Sequence, residues 1–162
     1  MISPTLSRHL AQLNIAQMKA PLESPVMKGF VDLLDRINEV ADQSPGFVWR
    51  LQTEDGDATA LRVFQDPLVL VNMSVWKNLE ALHQYVYRSD HLIPFRERQR
   101  WFDATQEPHI VLWWTPIAEL PTVEDGKERL DHLGRLGPTP DAFTFARPYT
   151  PSGEPRKKVT FS

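Results

Sequence analysis

Leu68-Val69-Leu70-Val71-Asn72-Met73 and His109-Ile110-Val111-Leu112-Trp113-Trp114 are the two runs that decide the fold class. Both are short and apolar, the length of buried strands rather than of helices. Successive residues of a strand point to opposite faces. Leu68 and Leu70 therefore oppose Val69, Val71 and Met73, and Val111 and Trp113 oppose Ile110, Leu112 and Trp114. Both faces of the sheet are apolar, and each needs a cover. Helices are expected on one face. A second copy of the chain is the expected cover for the other, giving a homodimer whose sheets enclose a barrel-like interior.

Outward from these runs the punctuation is clear. Residues 8–18 alternate as a strand, with Ala11, Leu13 and Ile15 on one face and Gln12, Asn14 and Ala16 on the other. Ser24-Pro25 marks a helix start, with Ser as cap and Pro in the first turn. Val26, Phe30, Leu33, Leu34, Ile37, Val40 and Ala41 recur at helical spacing until Pro45-Gly46. Phe47 to Gln52 reads as a strand. Glu54-Asp55-Gly56-Asp57 reads as a turn, with a short strand piece from Ala60 to Phe64. Helices are predicted from about Ser74 to Arg88, from His91 to about Asp103 with Asp90 as cap, and from Val123 to Leu136, closed by Gly137-Pro138. Phe143-Thr144-Phe145 reads as a last short strand. The order predicts an α+β fold: a ferredoxin-like βαββαβ unit with an extra C-terminal helix. Residues 1–150 form one domain in this reading. Residues 151–162 form a tail that is mobile or wraps a neighbour.

Composition narrows the function classes. The chain has 162 residues, 41% of them hydrophobic, enough for one ordinary core. Eighteen Lys+Arg against 21 Asp+Glu give a formal charge of -3, so nothing points to nucleic acid. No apolar run approaches the roughly 18 residues of a membrane span. The start lacks a secretory pattern, so a cytoplasmic protein is expected. Without Cys there is no disulfide, thiolate ligand or Cys nucleophile. His9, His83, His91, His109 and His132 show no metal-ligand spacing, and no phosphate-cradling or nucleotide motif is present. Neither a metal nor another cofactor is expected.

Several segments together resemble a known family. They are Ser74-Val75-Trp76-Lys77-Asn78-Leu79-Glu80-Ala81-Leu82, Tyr85-Val86-Tyr87-Arg88-Ser89-Asp90-His91, Arg98-Gln99-Arg100-Trp101-Phe102, Val111-Leu112-Trp113-Trp114 and Leu136-Gly137-Pro138-Thr139-Pro140-Asp141-Ala142-Phe143-Thr144-Phe145. Over about residues 8–150 the chain resembles a bacterial domain-of-unknown-function family grouped with the antibiotic-biosynthesis-monooxygenase-like dimeric α/β barrels. The resemblance implies a ferredoxin-like dimer with a cavity in each subunit. It implies no particular reaction, because members of that superfamily share a fold and differ in chemistry.

Candidate site residues come from helical and strand spacing. On the helix predicted from His91, the residues His91, Phe95, Arg98 and Phe102 share one face, bordered by Trp101. An imidazole and a guanidinium among aromatic rings suit a pocket wall. His91 would move a proton and Arg98 would hold an anion. The structural alternative is that His91 hydrogen-bonds within the fold and Arg98 pairs with a carboxylate. On the preceding helix Trp76, Leu79, His83, Val86 and Tyr87 share a face. There a satisfied core histidine is the simpler reading of His83. Trp113 and Trp114 point to opposite faces of their strand, so one of them can enter the interior. Asn14, Arg50 and Asn72 are polar strand residues that could reach a substrate carbonyl or bridge a dimer.

Three functions compete on these residues. One is a cofactor-independent enzyme, monooxygenase-like or a cyclase or isomerase, acting on a small hydrophobic or aromatic molecule with His91 as base and Arg98 as anion stabiliser. The second is a haem-binding protein of the same fold, with His83 or His91 as axial ligand. The third is a non-catalytic homodimer that binds a hydrophobic ligand.

Overall fold

Residues 8–52, 64–104 and 107–159 are described by the computed structural model. The turn expected at Glu54-Asp55-Gly56-Asp57 and the strand piece from Ala60 to Val63 lie outside them. Among the described residues the fold is α+β, with one four-stranded antiparallel sheet and four α-helices. The elements are β1 (Arg8–Gln17), α1 (Lys28–Gln43), β2 (Phe47–Arg50), β3 (Val69–Trp76), α2 (Leu79–Leu92), α3 (Phe95–Trp101), β4 (Ile110–Pro116) and α4 (Val123–Leu136).

The strand order is β2-β3-β1-β4. The connection through α1 therefore skips over β3, and the connection through α2 and α3 skips over β1. The register pairs Leu10, Gln12 and Asn14 of β1 with Trp76, Ser74 and Asn72 of β3. On the other side the same three residues meet Trp114, Leu112 and Ile110 of β4.

Local chemistry sets the helix ends. Ser24 Oγ accepts from Val26 N at 3.2 Å and starts a 3-10 turn at Pro25–Met27 that leads into α1. Asn78 Oδ1 accepts from Ala81 N at 2.8 Å and caps α2. The second helix thus begins at Leu79, later than the expected Ser74. Ser74, Val75 and Trp76 instead complete β3. The expected helix from His91 is also divided. Pro94 lacks an amide hydrogen and disfavours helical backbone in the residue before it. Ile93 is extended (φ -121°, ψ 108°), so α2 ends at Leu92 with His91 in its last turn, and Phe95 opens α3. Thr122 and Asp125 close a reciprocal capping box at 3.0 Å on α4, and Gly137 ends it at φ 73°.

The two faces of the sheet are covered differently. Leu10, Trp76 and Leu112 pack with Leu79, Leu82 and Tyr85 of α2 and with Ala41 of α1. On the opposite face, Ala11, Leu13, Val111 and Trp113 pack with Val123, Leu130 and Leu133 of α4. The chain's own last helix therefore lies on the face for which the sequence suggested a second copy. Its approach is close. A Cβ on Gly126 of α4 would overlap Leu13 Cδ1 and lie 3.1 Å from Leu13 Cβ.

Beyond α4 the chain returns to the first face. The strand expected at 143–145 is reduced to one bridge, with Leu112 and Phe143 exchanging backbone hydrogen bonds at 2.9 Å. Trp114 Nε1 donates to Tyr149 O at 2.9 Å. The described part of the expected tail, up to Val159, makes contacts within its own chain. Arg156 pairs with Glu80 at 3.1 Å, and Val159 packs beside the α2 core. No helix among the described residues is long and apolar enough to cross a membrane.

Candidate functional site

Asn72 defines the site. It lies on a central strand and points to the helical face, yet it is exposed, whereas Val71 and Met73 beside it are buried. The helices splay above it and leave a cavity of about 640 Å³. That lies within the range of about 300–1,000 Å³ typical of small-molecule sites.

The floor is polar and built by register. Gln12 and Asn14 of β1, Asn72 of β3 and Arg50 of β2 all face the cavity. The walls are mainly apolar: Phe30, Leu34 and Ile37 from α1, Leu82 and Val86 from α2, and Phe95 and Phe102 around α3. Phe30 meets Phe102 edge-on at 5.0 Å, which fixes the seam between α1 and α3. Phe95 is 73% exposed and stands at the rim.

A buried hydrogen-bond network centred on Ser74 and Gln12 orients the floor. The Trp76 indole can only donate, and Nε1 gives its hydrogen to Ser74 Oγ at 2.8 Å. Gln12 Nε2 donates to the same oxygen at 2.8 Å and to Asn72 Oδ1 at 2.7 Å. The Asn72 carbonyl is thereby engaged and its amide nitrogen is left for the cavity. Gln12 is 3% exposed, and its Oε1 has no hydrogen-bond partner. An unpaired buried carbonyl costs about 1–3 kcal/mol unless something donates to it.

Tyr85 forms part of the wall opposite this floor. Its ring stacks on Trp76, and the residue is 8% exposed. Burial pushes its hydroxyl up to about 12, with Arg50 opposing and Asp42 and Asp90 adding to the rise. Tyr85 is therefore a neutral hydrogen-bond donor at any physiological pH. Both guanidinium groups of the lining are paired with carboxylates. Arg50 grips Asp42 through Nε at 2.8 Å and Nη2 at 3.3 Å. Arg98 Nη2 reaches both the carbonyl and Oδ1 of Asp90 at 3.0 Å. Also in the lining, His109 Nδ1 lies 2.8 Å from Glu107 Oε1, outside hydrogen-bond geometry.

The structure brings together six of the residues singled out in the sequence: Asn14, Arg50, Asn72, Phe95, Arg98 and Phe102 all line this cavity. The others lie elsewhere. His91 is exposed on the last turn of α2, and its Nδ1 donates to Tyr87 O at 2.7 Å. Tyr87 packs on the same imidazole with ring centroids 4.4 Å apart. His83 faces Phe145, and burial holds its pKa below the usual histidine value. Trp76 sits beneath the floor as part of the network. Trp101 belongs to the core with Met18, Met27 and Phe30, and Trp113 packs on the α4 face. Gln12 and Tyr85 were not singled out as site residues. The alternation that places Gln12 beside Asn14 was visible, but the exclusion of Trp76 from α2 was needed to orient Tyr85.

No group of three or more His, Cys, Asp or Glu suited to a metal occurs among the described residues. A family model described as a domain of unknown function (DUF3291) matches residues 9–159. No curated protein matches the chain. No solved structure matches it either.

Proposed function

This chain belongs to the DUF3291 family, whose description carries no activity, and we propose from the cavity itself that it binds a small, partly aromatic organic molecule. The observation that carries this reading is the exposed Asn72 in the middle of the sheet, held by Gln12 beneath an open cavity. A structural asparagine on a central strand would be covered and fully paired. The test uses small aromatic carbonyl fragments titrated against the wild type and Asn72→Trp, a substitution that fills the cavity. Saturable binding to the wild type and none to the variant is expected. Equal binding to both, or none to either, would contradict the proposal.

An enzymatic version of this reading draws on Tyr85 and His109. Here His109 of the cavity lining takes a proton from carbon beside a substrate carbonyl, and Tyr85 and Asn72 donate to the resulting enolate oxygen. Return of that proton to another carbon completes an isomerisation or cyclisation without a cofactor. Monooxygenase-like chemistry would begin from the same enolate. His91, the base expected from the sequence, does not line the cavity and is replaced by His109 in this scheme. Haem binding draws less support, since neither His83 nor His91 lines the cavity.

The strand order β2-β3-β1-β4 with two interleaved crossovers supports the ferredoxin-like reading, and with it a place among the antibiotic-biosynthesis-monooxygenase-like dimeric barrels. The homodimer belongs to the same proposal. Ile117, Leu120 and Leu136, at 49%, 55% and 60% exposure, supply apolar surface near the ends of β4 and α4 for a second copy. Light scattering should give twice the chain mass, and a monomer at micromolar concentration would contradict it. A cytoplasmic setting completes the proposal.

A further inference from the structure

We infer that the cavity selects an uncharged ligand in which a carbonyl oxygen lies beside an N–H or O–H group, such as a primary amide or lactam, and rejects the corresponding carboxylate. This inference rests on the binding function proposed above and names its ligand class.

The charge pattern argues first. An anion site needs a cation whose charge is not already neutralised. Among the described lining residues, both guanidinium groups are engaged by carboxylates of their own chain: Arg50 by Asp42 and Arg98 by Asp90. Asp103 also lines the cavity, and its carboxylate forms no ion pair among the described residues. Among the described lining residues a ligand carboxylate would meet no guanidinium without a carboxylate partner and one unpaired carboxylate, while the unpartnered Arg98 Nε is a donor that serves a neutral carbonyl oxygen equally. Loss of its hydration would go unrepaid.

The neutral groups argue second. The Asn72 amide nitrogen is a donor, because Gln12 Nε2 occupies Asn72 Oδ1. The Tyr85 hydroxyl has no hydrogen-bond partner among the described residues and stays protonated, so it is another donor. Both suit a carbonyl oxygen. Gln12 Oε1 is an acceptor without a partner and calls for a donor on the same ligand, directly or through one water. A carboxylate offers acceptors only, whereas an amide offers both. The apolar walls take the rest of the molecule.

Isothermal titration with 2-naphthamide and 2-naphthoate, equal in ring and nearly equal in shape, tests this at pH 7. The amide should bind at least tenfold more tightly than the carboxylate. Asn72→Asp should reduce amide binding about tenfold by replacing the donor with an anion. Tyr85→Phe, which keeps the stack on Trp76, should reduce it several-fold. Naphthoate binding as tightly as naphthamide would overturn the inference while leaving the cavity as a binding site. Binding of neither probe would count against the underlying binding function as well. Amide binding unaffected by both substitutions would place the probe elsewhere and overturn the inference.

Discussion

Tyr85 and Trp76 stack with ring centroids 4.9 Å apart and planes 24° from parallel, joining α2 to the end of β3 directly beside the polar floor. The stack lets one aromatic pair serve both the core and the site: the Trp76 indole N–H donates to Ser74 Oγ, the same oxygen that accepts from Gln12, and the Tyr85 ring closes the wall. Tyr85→Phe removes only the hydroxyl. Its melting temperature should stay within a few degrees of the wild type while binding of an aromatic amide falls. Tyr85→Ala should lose about 3–5 kcal/mol of stability, the usual cost of deleting a buried ring. Denaturant unfolding separates the two.

Gln12 is the hub of the floor, donating to both Ser74 and Asn72. Gln12→Leu matches its size but strips Asn72 of its buried donor. Stability should fall by about 1–3 kcal/mol, as expected for lost buried hydrogen bonds. Amide binding should fall with it. A variant of unchanged stability and unchanged affinity would show that the network orients nothing.

Two glycines of α4 should respond oppositely to alanine. At Gly126 a Cβ would meet Leu13 in the packed face between α4 and β1. Gly126→Ala should destabilise by about 1–3 kcal/mol through overpacking. At Gly134 the nearest atom to a Cβ is Pro108 Cδ at 3.6 Å, an ordinary contact. Gly134→Ala should be neutral or stabilising by up to about 1 kcal/mol, from helix propensity. Thermal unfolding of both variants checks how closely α4 lies on the sheet.

Stability should also depend on two histidines. Burial lowers the pKa of His83, and burial with the nearby Lys77 lowers that of His9, both from 6.5. A depressed histidine binds fewer protons folded than unfolded. Its contribution is complete above pH 6.5 and is lost as pH falls through the folded value. The melting temperature should decline from pH 7 toward pH 5. The double variant His9→Gln/His83→Gln should flatten that slope. An unchanged slope would assign the acid response to other groups.

The parts of this fold that depend on period and punctuation were legible in the residues. Val123 to Leu136 carries its cap, its apolar face and its terminal Gly-Pro, and α4 has those bounds. The alternation of residues 8–18 placed Asn14 on the right face for the cavity. The end of β3 was not legible, because Ser74-Val75-Trp76 continues an apolar pattern into a helix and the Asn78 cap competes with Ser74 as a start. That shift moved Trp76 from a helix face to a strand. The helix wheel drawn from His91 failed at Pro94, which changes the phase between α2 and α3. Phe95, Arg98 and Phe102 nevertheless line the cavity, because they share the phase of α3 and its cap. The cover of the second sheet face by α4 is a matter of tertiary packing that no local period encodes.

The proposed ligand site is the polar floor under α1, α2 and α3. Its most direct measurement is a titration of 15N-labelled protein with 2-naphthamide, following the side-chain amide resonances. The Gln12, Asn14 and Asn72 side-chain signals should shift together and saturate, while the backbone of α4 and the Trp113 indole stay in place. Shifts confined to α4 and its face of the sheet, with the three floor amides unmoved, would contradict it.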